Sequence, residues 1–269
     1  MELKMKSIKG MTLALLMLIA AMAGCIGTED ETTEEAEEEK AAFLDASDAG
    51  YTYASDVDNH RSLMQDLCDI KTAASDSNWD EAKNIYTNGK NAEKSDGSYR
   101  TLAGFAAAAG KNHNYDAFYG ADGSIGAHIM AAMDGTGDFA GASDTVRYQG
   151  IAKLTANMGM VGYTIHELNA AVAKADAGNT DNDSGAPHNW DEGWAFFHGP
   201  DEHWSCSPAY TMKKRAADYG TETDGVSNAL AASEQAMVDG LAALQAGDKA
   251  GYDAATKTVI KNIIITYSQ

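Results

Sequence analysis

The run His188 to Trp204, HNWDEGWAFFHGPDEHW, gathers three of the chain's seven histidines, three of its four tryptophans and four carboxylates into seventeen residues. Imidazole nitrogen and carboxylate oxygen at this density suit iron, zinc, manganese or copper, and no cysteine pair accompanies them to favour a softer metal. His188, Asp191, Glu192 and His198 are the candidate metal ligands within it. On a helix, Asp191 and His198 lie seven residues apart and share nearly one face, two turns distant. The competing reading is an aromatic core helix, because tryptophans bury and histidines beside them are satisfied by carbonyls.

A second pair, His166-Glu167, sits in GYTIHELNAA. It has the start of a zinc-protease H-E-x-x-H, but the fifth position is Ala170, so the second histidine is missing and the protease reading is rejected.

An internal repeat sharpens the comparison. Asn78 to Gly89, NWDEAKNIYTNG, aligns without gaps to Asn189 to Pro200, NWDEGWAFFHGP, and GYDAATKTVIKN, Gly251 to Asn262, is a weaker third copy. A mechanical cause comes first: in N-x-x-E the asparagine caps a helix, Glu81 or Glu192 reaches back to the cap's amide, and Asp80 or Asp191 sits in the positive first turn. The copies differ where chemistry would lie. Ser77 stands against His188, and the first copy has no histidine where the second has His198 and His203. A purely structural repeat needs no such difference, so the second copy is the one expected to hold a metal or a polar ligand.

The elements that must position these groups are helices. Ala-rich stretches such as TLAGFAAAAG end at glycines, and strand-like alternation is nearly absent. The expected fold is all-α, a helical bundle built from duplicated helical units near 56–120 and 143–220 with a partial third near 225–269, joined by long Gly/Asn/Asp-rich loops. Helices are expected over 54–75, 79–88, 99–109, 126–133, 143–175, 190–198, 207–219, 225–246 and 249 to the end. In the long one, Ile151, Leu154, Met158, Val161, Ile165 and Leu168 form the inward face. KNHNYDAFYGADGS and GNTDNDSGAPHN read as loops on their Gly, Asn, Asp and Pro content.

The first residues read as a leader. A lysine-bearing start, an apolar run too short to cross a bilayer and Met22-Ala23-Gly24-Cys25 give a lipoprotein signal peptide over 1–24, with lipid on Cys25. The run over 25–40 carries eight acidic residues, repels itself and has little to bury, which predicts a disordered tether. Residues 41–269 then form the helical metal-binding domain. Forty acids against twenty bases exclude nucleic acid as a partner, since phosphate binding needs a basic face, and favour a cationic ligand. For an exported chain the two remaining thiols, Cys68 and Cys206, either join in a disulfide or sit as separate core residues.

The runs AAMDGTGDFAGASDTVRYQGIAK, GYTIHELNAA and HNWDEGWAFFHG resemble the low-iron-inducible Fe-assimilating proteins first described from algae, which have secreted or lipid-anchored prokaryotic relatives. The resemblance covers roughly 56–269. It implies a helical extracytoplasmic protein that helps capture iron at the cell surface, and the expected role is metal binding without catalysis. Ferric or ferrous iron is the expected ion, with zinc or manganese as alternatives, and the expected partners are a membrane met through the lipid anchor and a downstream iron transporter. By position it supports Arg147, His166, Glu167, Asp191 and Glu192 as site residues without saying which of them touches iron; apart from the resemblance, Arg147 is the candidate contact to a co-bound anion. Two other readings stand beside it: an imelysin-like metalloprotein with hydrolytic or redox activity, and a metal-free helical lipoprotein that binds a partner through exposed tryptophans.

Overall fold

The computed structural model describes residues 48–108 and 114–269. The leader, Cys25 and the acidic tether lie outside the described residues. Eleven α-helices and one two-stranded hairpin make up the described part, an all-α fold. Helix α1 is Asp58–Ser75, α2 Trp79–Asn88, α3 Leu102–Ala107, α4 Asn114–Tyr119, α5 Ser124–Asp134 and α6 Asp144–Thr155. A π-helical segment, Ala156–Gly162, runs straight into α7, Tyr163–Asp176. Then come α8, Ala186–Phe197, a 3₁₀ turn over Asp201–Cys206, α9, Pro208–Tyr219, the hairpin of β1, Glu222–Thr223, and β2, Val226–Ser227, and finally α10, Asn228–Ala246, and α11, Lys249–Ser268.

Local chemistry explains the helix starts. Asn78, Thr101, Ser143, Ser207, Ser227 and Asp248 each accept an amide hydrogen of the first turn. The repeat breaks here. Asn78 does cap α2, but Asn189 caps nothing: α8 begins four residues before Trp190, with Pro187 in its first turn, so Asn189 is helix interior. The third copy falls wholly inside α11, which Asp248 caps. Two segments read as loops are partly helical: Asn114–Tyr119 forms α4, and Ala186 to Asn189 open α8. The helix expected over 225–246 starts at Asn228, because Asp224 and Gly225, both at positive φ, turn the hairpin first.

The apolar residues gather into two clusters with α8 between them. Trp190, Trp194 and Phe197 belong to one, with α7, α9, α10 and α11; Phe196 belongs to the other, with α1, α2, α5 and α6. Every α8 residue except His188 is buried. A helix enclosed on all sides has no solvent face, so its polar groups must find protein partners or a ligand. Close approach is built in with glycine. A β-carbon at Gly240 of α10 would stand 2.1 Å from the Trp190 ring, and one at Gly193 would meet Leu168 of α7 at 3.1 Å. The π segment widens the long helix, so that Ile151, Thr155, Gly159, Tyr163, Glu167 and Ala171 follow one another inward at steps of four. Val161 and Ile165, expected on that face, are only half-buried. Cys68 of α1 and Cys206 are joined in a disulfide, which pins the 3₁₀ turn to α1.

Candidate metal centre

The inward step of four brings Glu167 of α7 against α8, where Glu192 and Asn189 occupy one face a turn apart. The Asn189 amide donates to Glu167 Oε2 at 2.5 Å and to Glu192 Oε2 at 3.3 Å, tying the two carboxylates together. Two imidazoles converge on the other Glu192 oxygen. His60 Nε2, from α1, and His188 Nε2, one turn before on α8, each lie 3.2 Å from Glu192 Oε1. His166 stands at the edge, its Nε2 3.9 Å from Glu167 Oε1. These groups, His188 apart, line a cavity of about 520 Å³ together with Tyr99, Arg100 and Thr101. Asn189 Oδ1, in its wall, is buried with no hydrogen-bond partner.

The charges are arranged around Glu192. Burial alone would raise its carboxyl, but the hydrogen bond from His188 and the charges of His60 and His188 outweigh burial and hold it down at about 2. His60 is driven to about 4 by burial, which outweighs the pull of Glu192 and is reinforced by Arg100 and His188. His188, more open to solvent, is raised by its hydrogen bond to Glu192 against a smaller burial effect. At neutral pH the centre therefore holds a firmly ionised carboxylate between a neutral imidazole and one that readily takes a proton.

His188 is oriented from behind. Its Nδ1 lies 2.9 Å from Ser55 Oγ, and the same hydroxyl donates to Asp191 Oδ2 at 3.0 Å. A serine has one hydroxyl hydrogen. With that hydrogen on Asp191, Nδ1–H of His188 donates to Ser55, an assignment that follows from the network and leaves Nε2 to face the centre. Relayed carboxylate support of this kind is what fixes the tautomer of a metal-ligating histidine.

The remaining candidates are placed elsewhere. Asp191 accepts from Tyr51 Oη at 2.6 Å, from the amides of Ala54 and Ser55 at 2.9 and 2.8 Å, and from the Ser55 hydroxyl. Four donors engage its carboxylate, so it clasps residues 51–55 instead of facing the cavity. His198 is buried between Trp194 and Trp204, with Nδ1 donating to Gly199 O at 2.8 Å. Arg147 closes the end of α5: it donates to Ala132 O at 2.9 Å and to Met133 O, and lies 4.0 Å over the Trp79 ring. It lines neither cavity described in this molecule. Sequence reasoning missed His60, Asn189 and Arg100. For His60 a signal existed, since it takes the inward register of Leu63, Met64 and Leu67.

Among the described residues no group of three or more His, Cys, Asp or Glu side chains forms a ready-made metal cage. The imidazole hydrogens and Glu192 satisfy one another instead. None of the helices among the described residues is long and apolar enough to cross a membrane. No curated protein and no solved structure matches the chain. The profile of one family, described as Fea1, low iron-inducible periplasmic protein, matches residues 14–265. Having the helical architecture and carrying that match over nearly its whole length, the chain belongs to the low iron-inducible periplasmic protein family.

Proposed function

We propose that the protein is an extracytoplasmic iron-binding protein, held at the membrane by lipid on Cys25, that captures iron and passes it to a transporter. In this reading its first role is capture of the ion. One observation carries the reading: two imidazoles from distant parts of the chain aim Nε2 at a single buried carboxylate oxygen, beside a second carboxylate. His60, His188, Glu192 and Glu167 offer two nitrogens and carboxylate oxygen, a donor set suited to iron and also to zinc or manganese. Asn189 Oδ1, buried without a partner, is a further neutral acceptor for a cation. The Ser55–Asp191 relay supports His188 as a neutral ligand through Nε2, and the excess of forty acids over twenty bases concentrates cations around the domain. Binding replaces the present hydrogen bonds, so affinity should rise as His188 loses its proton.

The test is equilibrium titration of the protein with ferric and ferrous iron, zinc and manganese. Glu192→Gln and His188→Gln are each expected to weaken iron binding at least about tenfold, the scale of a lost charged or oriented ligand. Iron binding at wild-type strength in both variants would sink this assignment.

A further inference from the structure

Asp191 joins the candidate metal centre to a second feature. Four aromatic rings stack nearly parallel away from it. Tyr51 lies on Trp194 at 4.6 Å and 19°, Trp194 on His198 at 5.1 Å and 2°, and His198 on Trp204 at 5.8 Å and 20°. At the inner end Tyr51 Oη donates to Asp191 at 2.6 Å; Asp191 accepts from Ser55 Oγ at 3.0 Å; Ser55 Oγ meets His188 Nδ1 at 2.9 Å; and His188 Nε2 reaches Glu192 at 3.2 Å. Every link is a hydrogen bond or a short ring-to-ring step. Packing alone does not explain the stack well, because Trp194 Nε1 is left buried without a partner.

The outer end opens into a cavity of about 410 Å³, lined by His198, Trp204, Lys213, Ser227, Leu230 and Glu234 among others. Its size suits one small molecule, not a protein segment. An aromatic wall and Leu230 suit a planar ring. Ser227, Glu234 and Lys213, whose ammonium lies 5.2 Å from the Trp204 ring, suit phenolic hydroxyls.

We propose that the protein reduces the ferric ion it binds, taking one electron from a small hydroquinone held in this second cavity and passing it along the stacked rings and hydrogen bonds to the metal. The proposal rests on the iron reading of the Glu192 centre. The hydroquinone gives one electron to the stack and one proton to the Glu234 carboxylate, and departs as a neutral semiquinone. Bound Fe(III) gains the electron and becomes Fe(II). No bond between heavy atoms forms or breaks, and the rings serve as a bridge that ends as it began. Two departed semiquinones disproportionate to one hydroquinone and one quinone. Electron tunnelling weakens steeply with each gap, which is why contact between successive groups matters more than any one of them. Burial raises the Glu234 carboxyl, in keeping with its part as proton acceptor.

Ferric affinity is measured first. The ferric-loaded full chain is then mixed with benzohydroquinone without oxygen, and Fe(II) is followed with a chromogenic ferrous chelator. The rate per bound iron should saturate with hydroquinone and fall at least about tenfold in Trp204→Leu and in Tyr51→Phe, a barrier change of roughly 1.4 kcal/mol. Trp204→Leu should leave ferric affinity unchanged. A rate linear in hydroquinone and equal in both variants overturns the conduit. A wild-type chain that binds no ferric iron overturns the reading beneath it. In the metal-free protein, benzoquinone should quench tryptophan emission saturably, and purely collisional quenching overturns the cavity assignment.

Discussion

Asp191 shows how one side chain's role is settled by its partners. Its sequence context, a carboxylate among histidines, is that of a ligand, whereas its structure is that of a clasp for residues 51–55. Burial outweighs the hydrogen bonds from Tyr51, Ser55 and Ala54 and lifts its carboxyl from 3.8 to about 6. The folded chain then holds that proton more tightly than the unfolded one, so Asp191 makes stability fall as pH rises from about 4 through 6, by on the order of 3 kcal/mol. His60 works the other way. Its folded value near 4 lies below the ordinary 6.5, so the unfolded chain takes the proton first and stability rises with pH across that window. Asp191→Asn should remove the first slope and expose the second: urea unfolding of the metal-free variant at pH 4.5, 5.5 and 6.5 should show stability climbing more steeply with pH than in the wild type. The histidines and carboxylates of the second repeat were legible in the sequence by their density. His60 and the saturation of Asp191 were not, because both depend on which distant segment is packed against α8.

At the scale of the element, α8 carries the argument. The N-W-D-E repeat shared with α2 invites the same cap at both copies, yet Pro187 two residues before Asn189 already marks an earlier start, since proline is favoured in a first helical turn. Moving the start back turns Asn189 from a cap into the bridge between Glu167 and Glu192. The long helix was legible as one run from 143 to 175; its π segment was not, because a wide turn leaves no compositional mark that apolar spacing can show. Gly240→Ala tests the packing that holds α8 in place. The new β-carbon would drive into a rigid, fully buried indole, so the variant should lose about 1–3 kcal/mol in chemical denaturation and loosen the Trp190 Nε1 hydrogen bond to Met237 O, seen as altered tryptophan emission.

For the whole molecule, the all-α class was legible from alanine-rich stretches ended by glycine, and the cysteines were legible only as a pair that either joins or stays apart. The disulfide between Cys68 and Cys206 spans 138 positions and so constrains most of the unfolded domain. Replacing both with alanine should cost about 5 kcal/mol on the chain-entropy view, read as a lower midpoint in urea with the helical signal retained below it. The charge excess acts at this scale as well: on the iron-capture reading, a slower iron on-rate at high salt is its signature. The candidate donors come from α1, α7 and α8 and meet only when the chain is folded. Iron bound there would act as a folding ligand, stabilising the native state by mass action in proportion to its free concentration. Under scarcity the empty form would be the one that opens more often, and extracytoplasmic proteases would clear it before the loaded form.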